Sequence, residues 1–260
     1  MSEAKTAGHR VAVVTAGGAH VWALVNALSD RIGPVTVILE EPESKGALLR
    51  ARARRFGRIA VAGQLGTMVL TRLFRPLSSR RRQRTVEECR LRTEPAPDQR
   101  IVRVASADSP ECTDAIAAMG AEVVLLNGCR LVSRTTLERI ACPVLNFHAG
   151  ITPKYRGMNG GYWALATGDA ENFGATVHLV DTGVDTGGIV RQVRSKPKPG
   201  DSISSYAMTM ASFSADACAE AIEAAASGRI EILETDLPSR QWYHPTIWFY
   251  LWTGVTKRVW

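Results

Sequence analysis

Apolar positions along the chain fall into two rhythms: short β-branched runs, and stripes that repeat every three or four residues. Residues 9–15 (HRVAVVT) are such a run, closed by Ala16-Gly17-Gly18, and Val21, Leu24, Val25 and Leu28 follow at helical spacing. Strand, glycine turn and helix open a doubly wound α/β domain, a mostly parallel sheet with helices on both faces. Runs at 35–39 (VTVIL), 101–105 (IVRVA) and 121–126 (AEVVLL) add strands, the last unbroken enough for a parallel-sheet interior. Residues 109–119 read as a helix ended by Gly120, and 133–140 as a short one. Val144-Leu145 leads a further strand, and 175–180 (ATVHLV) is another. Residues 201–228 predict one long helix from Ser202 or Ser204, with Met208, Met210, Phe213 and Ala217 for packing. A strand-like IEIL follows, then an aromatic tail (QWYHPTIWFYLWTGVTKRVW) expected in a core or an interface. The pattern predicts a catalytic unit over residues 1–200, with residues 201–260 packed on it.

Residues 44–92 interrupt this order. SKGALLRARARRFG predicts a basic amphipathic helix, and VAGQLGTMVLTRLFR continues helically to Pro76, where SSRRRQR caps and breaks it. The segment reads as a helical insertion that shapes an acceptor site or a homo-oligomer contact. The formal net charge of +7 is concentrated at residues 50–58 and 75–92. Neither run interleaves aromatics with its arginines as single-strand binders do, so both are expected to be solvated faces rather than nucleic-acid sites. No apolar run reaches ~18 residues, so no membrane span is expected. The polar N-terminus lacks the apolar core of a signal peptide, which points to the cytoplasm. Five cysteines without paired spacing read as reduced thiols, and nothing has zinc-ligand spacing, so the predicted chemistry needs no metal.

Residues 144–191 concentrate the chemistry. In extended backbone, Asn146 and His148 point to one side while Phe147 turns into packing. Pro153, Gly157 and Gly160-Gly161 suit a loop that bends sharply near a ligand. After the 175–180 strand, Asp181-Thr-Gly-Val-Asp185-Thr-Gly-Gly188 forms a turn able to set a carboxylate beside the Asn/His pair. Asn, His and Asp converging suits acyl or one-carbon group transfer. His178, inside the strand, is expected to pack or hydrogen-bond structurally, and Cys142 to be buried rather than nucleophilic.

The N-x-H, P-K-Y-R-G, G-A-T-V-H and V-D-T-G segments together closely resemble the folate-dependent formyltransferase family, over residues 10–195. That family includes glycinamide ribonucleotide transformylase, methionyl-tRNA formyltransferase and the sugar N-formyltransferases. The resemblance implies a transferase that moves a formyl group from 10-formyltetrahydrofolate to the amine of a small-molecule acceptor, such as a nucleotide-linked amino sugar. It implies that Asn146 donates to the developing oxyanion, that His148 donates and helps move protons, and that Asp185 is the acid. In the family pattern that acid immediately precedes T-G, which selects Asp185 over Asp181. It further assigns Cys129, Arg130, Leu131 and Val132 to the folate pocket, with Asp181, Gly183 and Val184. Gly17, Gly18, Ala19 and His20 become candidates for acceptor phosphate, and Lys154, Tyr155, Arg156 and Gly157 for acceptor contact. Two rivals remain, a methionyl-tRNA formyltransferase and a formyltetrahydrofolate hydrolase. The first is expected to need a fuller C-terminal domain than the 68 residues after Gln192, and the second an extra N-terminal one.

Overall fold

The computed structural model describes residues 9–42 and 57–260. Strands β1 (Val11–Thr15), β2 (Thr36–Glu40), β3 (Ile101–Val104), β4 (Val123–Leu126) and β5 (Val144–His148) run parallel. A two-residue β6 (Arg156–Gly157) leaves this sheet, and β7 (Gly174–Leu179) and β8 (Ile189–Arg194) close it as an antiparallel edge. The seven-stranded order is β3-β2-β1-β4-β5-β7-β8, the expected mostly parallel α/β sheet. β6 pairs instead with β9 (Gln241–Trp242) in a separate ribbon.

Alternation along the central strands feeds two cores. Val11, Val13, Val123 and Leu125 join Val21, Leu24, Val25 and Leu28 of α1 (Ala19–Ile32) on one face. Ala12, Val14, Val124 and Leu126 face the other, against Cys112 and Ile116. Each fully buried Val or Leu contributes roughly 1.5–3 kcal/mol. Both faces being covered explains why these strands lack polar alternation.

The insertion departs from expectation. The helix expected over residues 44–56 lies outside the described residues. Beyond it are two helices, α2 (Arg58–Leu73) and α3 (Arg75–Glu88), broken at Phe74. Pro76 starts α3 rather than ending a helix, and SSRRRQR is helical. A proline in the first turn forfeits no hydrogen bond, since that N–H has no intrahelical partner. Nor is residues 75–92 simply a solvated face. Arg81 sits 3.7 Å from the buried Asp201 carboxylate, and Arg82 donates to the Ser204 carbonyl at 3.2 Å. Arg92 donates to the Asn26 carbonyl at 3.0 Å, and Asn26 answers with bonds of 2.8 Å to the carbonyls of Arg92 and Glu94.

Next along the chain come α4 (Pro110–Ala118), α5 (Arg134–Leu137) and α6 (Gly160–Ala166). The single helix expected over 201–228 is two, α7 (Tyr206–Ala211) and α8 (Ala215–Ala226). Ser212 and Ser214 hydroxyls donate to the carbonyls of Thr209 and Met210, at 2.6 and 2.7 Å, which offers the backbone an exit from the helix. IEIL makes no strand, only a bridge from Leu233 to Ile189. The aromatic tail is β9 followed by α9 (Ile247–Lys257). Tyr206, Met210, Ile222, Trp242 and Tyr250 all belong to the core that contains Val11 and Leu24.

Candidate active site

The parallel strand β5 ends at His148, where the open α/β sheet presents its ligand-binding edge. Antiparallel register sets Asn146 opposite His178 and His148 opposite Thr176. The β7–β8 turn then delivers Asp185, whose φ of 50° is a left-handed conformation that Asp tolerates. Its Oδ1 accepts from Asn146 Nδ2 at 3.1 Å and lies 3.3 Å from His178 Nε2. Its Oδ2 accepts the Gly157 amide at 2.7 Å and lies 3.5 Å from His148 Nδ1. Burial alone would raise the Asp185 pKa. The facing His148, the His178 hydrogen bond and the Gly157 amide outweigh that and hold the carboxyl well below the usual range.

His148 is fixed from its far side. Its Nε2 lies 2.6 Å from the Tyr155 carbonyl, which can only accept, so that nitrogen carries hydrogen. Nδ1 then faces the Asp185 carboxylate at 3.5 Å. This contact needs Gly150, where a Cβ would come within 2.7 Å of His148 Nε2 and 2.9 Å of the Gly160 Cα. Gly157 is equally constrained, with φ of 89° and a Cβ position 2.3 Å from the Trp242 carbonyl.

These side chains open into a cavity of about 930 Å³. Of the residues singled out for the folate pocket, Cys129, Arg130, Leu131, Val132, Asp181, Gly183 and Val184 all line it. Arg130 is nevertheless spent on its own loop. Its backbone N–H and Nε donate to Glu40 at 2.8 and 2.9 Å, and its guanidinium also reaches the Glu41 and Ala105 carbonyls. Asp181 holds the turn, accepting from the Gly183 amide at 2.9 Å and the Thr186 hydroxyl at 2.6 Å. Burial pushes the Cys129 thiol up to about 12, so it stays protonated. Cys142 is only partly buried, and its thiol too is raised.

The acceptor candidates divide. His20 and Gly157 line the cavity, whereas Gly17, Gly18, Ala19, Lys154, Tyr155 and Arg156 do not. Tyr155 is buried, its hydroxyl donating to Asp169 at 2.7 Å. Lys154 pairs with the same carboxylate at 2.7 Å, and Arg156 donates to the Val184 carbonyl at 3.0 Å. Those three brace the loop from behind while its glycine faces the cavity. His20 opens α1, and burial lowers its pKa, so it meets a ligand as a neutral imidazole near pH 7.

Sequence reasoning missed several lining residues. His178 was expected to be structural, although its place opposite Asn146 follows once β5 and β7 are paired. Asn127 and Asn159 line the cavity with buried Nδ2 groups that have no hydrogen-bond partner among the described residues. Gln241, Trp242 and Tyr243 arrive through the β6–β9 pairing, and Trp242 stacks on Trp163 at 4.4 Å. No local pattern in the tail announces that contact.

The sequence profile described as formyl transferase matches residues 9–222. Phosphoribosylglycinamide formyltransferase of Haemophilus influenzae is 35% identical over 91 residues, 35% of this chain and 42% of that protein. Methionyl-tRNA formyltransferase of a Synechococcus species is 30% identical over 139 residues, 53% of this chain and 42% of that protein. A solved sugar N-formyltransferase from a Shewanella species aligns with a TM-score of 0.54, over 90% of this chain and 76% of that one. At 13% identity that is a likeness of fold. The chain spans about two fifths of the length of the curated relatives it matches.

Proposed function

The chain belongs to the formyl transferase family, and from that premise we propose that it moves a formyl group from 10-formyltetrahydrofolate to a small-molecule amine. The acceptor class we favour is a nucleotide-linked amino sugar. The observation that carries the reading is the Asp185 carboxylate, which gathers Asn146, His148 and His178 at one end of a 930 Å³ cavity. When bound, the folate supplies the activated formyl carbonyl. Leu126, Val132, Val180 and Val184 offer it apolar walls, and the unpartnered Asn127 Nδ2 offers a donor within them.

The geometry supports a role for each residue. Asn146 presents an N–H group on the cavity side of β5, suited to an oxygen gaining negative charge, and His148, held between the Tyr155 carbonyl and Asp185, is suited to moving a proton. Asp185, held as the carboxylate, keeps both oriented while His148 handles the proton that the amine loses. His20, at the start of α1, is placed to meet the polar or phosphorylated end of an acceptor by hydrogen bonding.

The test is to incubate the protein with 10-formyltetrahydrofolate and a panel of amines, following released tetrahydrofolate and the mass of the product. Nucleotide-linked amino sugars, glycinamide ribonucleotide, initiator methionyl-tRNA and a tube without acceptor form the panel. Formylation of a small amine alone is expected. Turnover only with the tRNA, or only with water, gives the site to one of the two rivals.

A further inference from the structure

Helices α2 and α9 pack against each other with small residues inside. A Cβ on Gly63 would collide with the Trp248 ring, Gly66 abuts Ile247, and the Thr67 hydroxyl donates to the Pro245 carbonyl at 2.9 Å. Their inner faces are therefore satisfied, with Val61 and Thr67 of α2 and Tyr250 and Thr253 of α9 buried. A surface helix ordinarily turns polar residues outward. These do not. Ile59 (79% exposed), Val69 (58%) and Leu73 (70%) continue down the outside of α2. Trp248 (53%), Trp252 (51%) and Val255 (75%) stand three or four residues apart along α9. Large apolar side chains exposed in this number on two packed helices mark a contact with another phase or molecule.

The charge around it identifies the occupant. Residues 58–73 and 247–260, the two helices and the end that follows α9, carry four Lys or Arg and no Asp or Glu, in a chain whose net charge is +7. Arg72 is exposed between Val69 and Leu73, and Arg258 is exposed just past the end of α9. A two-fold dimer through this face would set the cations against their own copies. Tryptophan, aliphatic side chains and surrounding Lys/Arg are instead the composition of a helix lying in the plane of an anionic bilayer. At 16 and 11 residues the two helices are too short to cross one, and no described helix is long and apolar enough to do so.

We propose that the paired outer faces of α2 and α9 seat this protein on an anionic lipid surface. α9 also connects the face to the catalytic cleft. Trp248 and Trp252 line a second cavity of about 710 Å³ that shares Gln241, Trp242 and Tyr243 with the active-site cavity. The inference does not depend on which amine the enzyme formylates.

The experiment is flotation of the full chain with vesicles of phosphatidylcholine alone, and with vesicles in which phosphatidylglycerol replaces about a third of it. Flotation with the mixed vesicles is expected, at least about tenfold stronger than with neutral ones, weakening with salt, and accompanied by a blue shift of tryptophan emission. Two variants test the face separately. Trp252→Ser with Val255→Ser removes apolar anchors that stand outside the α2–α9 contact, and Arg72→Gln with Arg258→Asn removes charge without touching the packed side. Each should lose most flotation while keeping the wild-type circular dichroism. Protein that stays with neither vesicle overturns the proposal, as does equal binding to both. A dimer in sedimentation that either variant dissociates gives the face to a second copy and overturns it too.

Discussion

His178 Nε2 lies 3.3 Å from Asp185 Oδ1 and 3.1 Å from Asn146 Nδ2, so the imidazole touches both ends of the Asn146–Asp185 hydrogen bond. Its Nδ1 lies 2.7 Å from the Leu179 carbonyl and carries the hydrogen. Asn146 Nδ2 has the Asp185 carboxylate as an acceptor at 3.1 Å, which leaves its other hydrogen for the cavity that Asn146 lines. His178 is thus a positioning residue, holding the amide that faces the cavity. His178→Ala should fold and bind the folate, yet slow single-turnover transfer by about 10²-fold, the cost of misplacing a reacting group. An unchanged single-turnover rate would mean that Asp185 alone positions Asn146.

Removing the donors themselves should cost more than loosening them. Asn146→Ala and His148→Ala are each expected to lose ~10²–10³ in kcat, with the native fold kept. Wild-type turnover in Asn146→Ala would contradict the oxyanion role, and in His148→Ala the proton-moving one.

The two acids of the β7–β8 turn should separate cleanly. Asp185→Asn keeps shape but loses the charge that faces both imidazoles, so transfer should fall by about 10²–10³-fold. Asp181→Asn disturbs only the bonds to Gly183 and Thr186, and its loss should appear in loop order before it appears in rate. If Asp181→Asn were the inactive variant and Asp185→Asn ran near the wild-type rate, the acid would be at the other end of the turn.

Asp185 also predicts an acid-stability signature. Its folded pKa is depressed below the ordinary aspartate value of about 3.9, so the native state holds its carboxylate more firmly than the unfolded chain does. The stabilisation from ionised Asp185 is complete above that value and disappears as pH falls through it toward the folded pKa. The Tm difference between wild type and Asp185→Asn should therefore shrink as pH falls below about 4. A difference that grows on acidification would reverse the assigned direction.

The sheet was legible because its strands are buried on both faces and read as unbroken apolar runs, as Val123 to Leu126 does. Asn146, His148 and Asp185 were legible because two lie two residues apart in one strand and the third ends a glycine-bounded turn. What escaped depends on contacts distant in sequence. The place of His178 in the site needs the β5–β7 register, and that of Trp242 needs the β6–β9 ribbon. Lys154, Tyr155 and Arg156 misled because a loop beside a site has a back as well as a front, and Asp169 claims two of the three from behind. The helix break near Ser212 turns on hydroxyl bonds worth about 1 kcal/mol each, less than a periodicity argument can detect, and no side-chain cap marks the break at Phe74.

The loop under the cavity rests on an ion pair. Glu40, 4% exposed, accepts from the Arg130 backbone and guanidinium and from the Ala107 amide at 2.9 Å. Glu40→Ala strips those donors of their partner and should lower stability by about 3–5 kcal/mol in urea unfolding. Glu40→Gln keeps an acceptor but not the charge and should lose less. Equal stability of all three proteins would show that the pair contributes nothing to the fold.

Asn127 offers the sharpest separation of binding from folding. It is 3% exposed at the end of β4, and its Nδ2 has no hydrogen-bond partner among the described residues although it lines the cavity. A buried amide without a partner costs the fold its desolvation, on the order of 1–3 kcal/mol, and is retained where a ligand completes it. Asn127→Ala should therefore leave the Tm of the ligand-free protein unchanged or slightly higher. The same substitution should weaken binding of a folate donor by about tenfold or more, the worth of one buried hydrogen bond. Calorimetric titration with a non-transferring folate analogue and thermal melts of the free protein read the two quantities apart. A variant that melts well below wild type yet binds the analogue equally would make Asn127 a structural residue, with its amide serving the loop rather than the ligand.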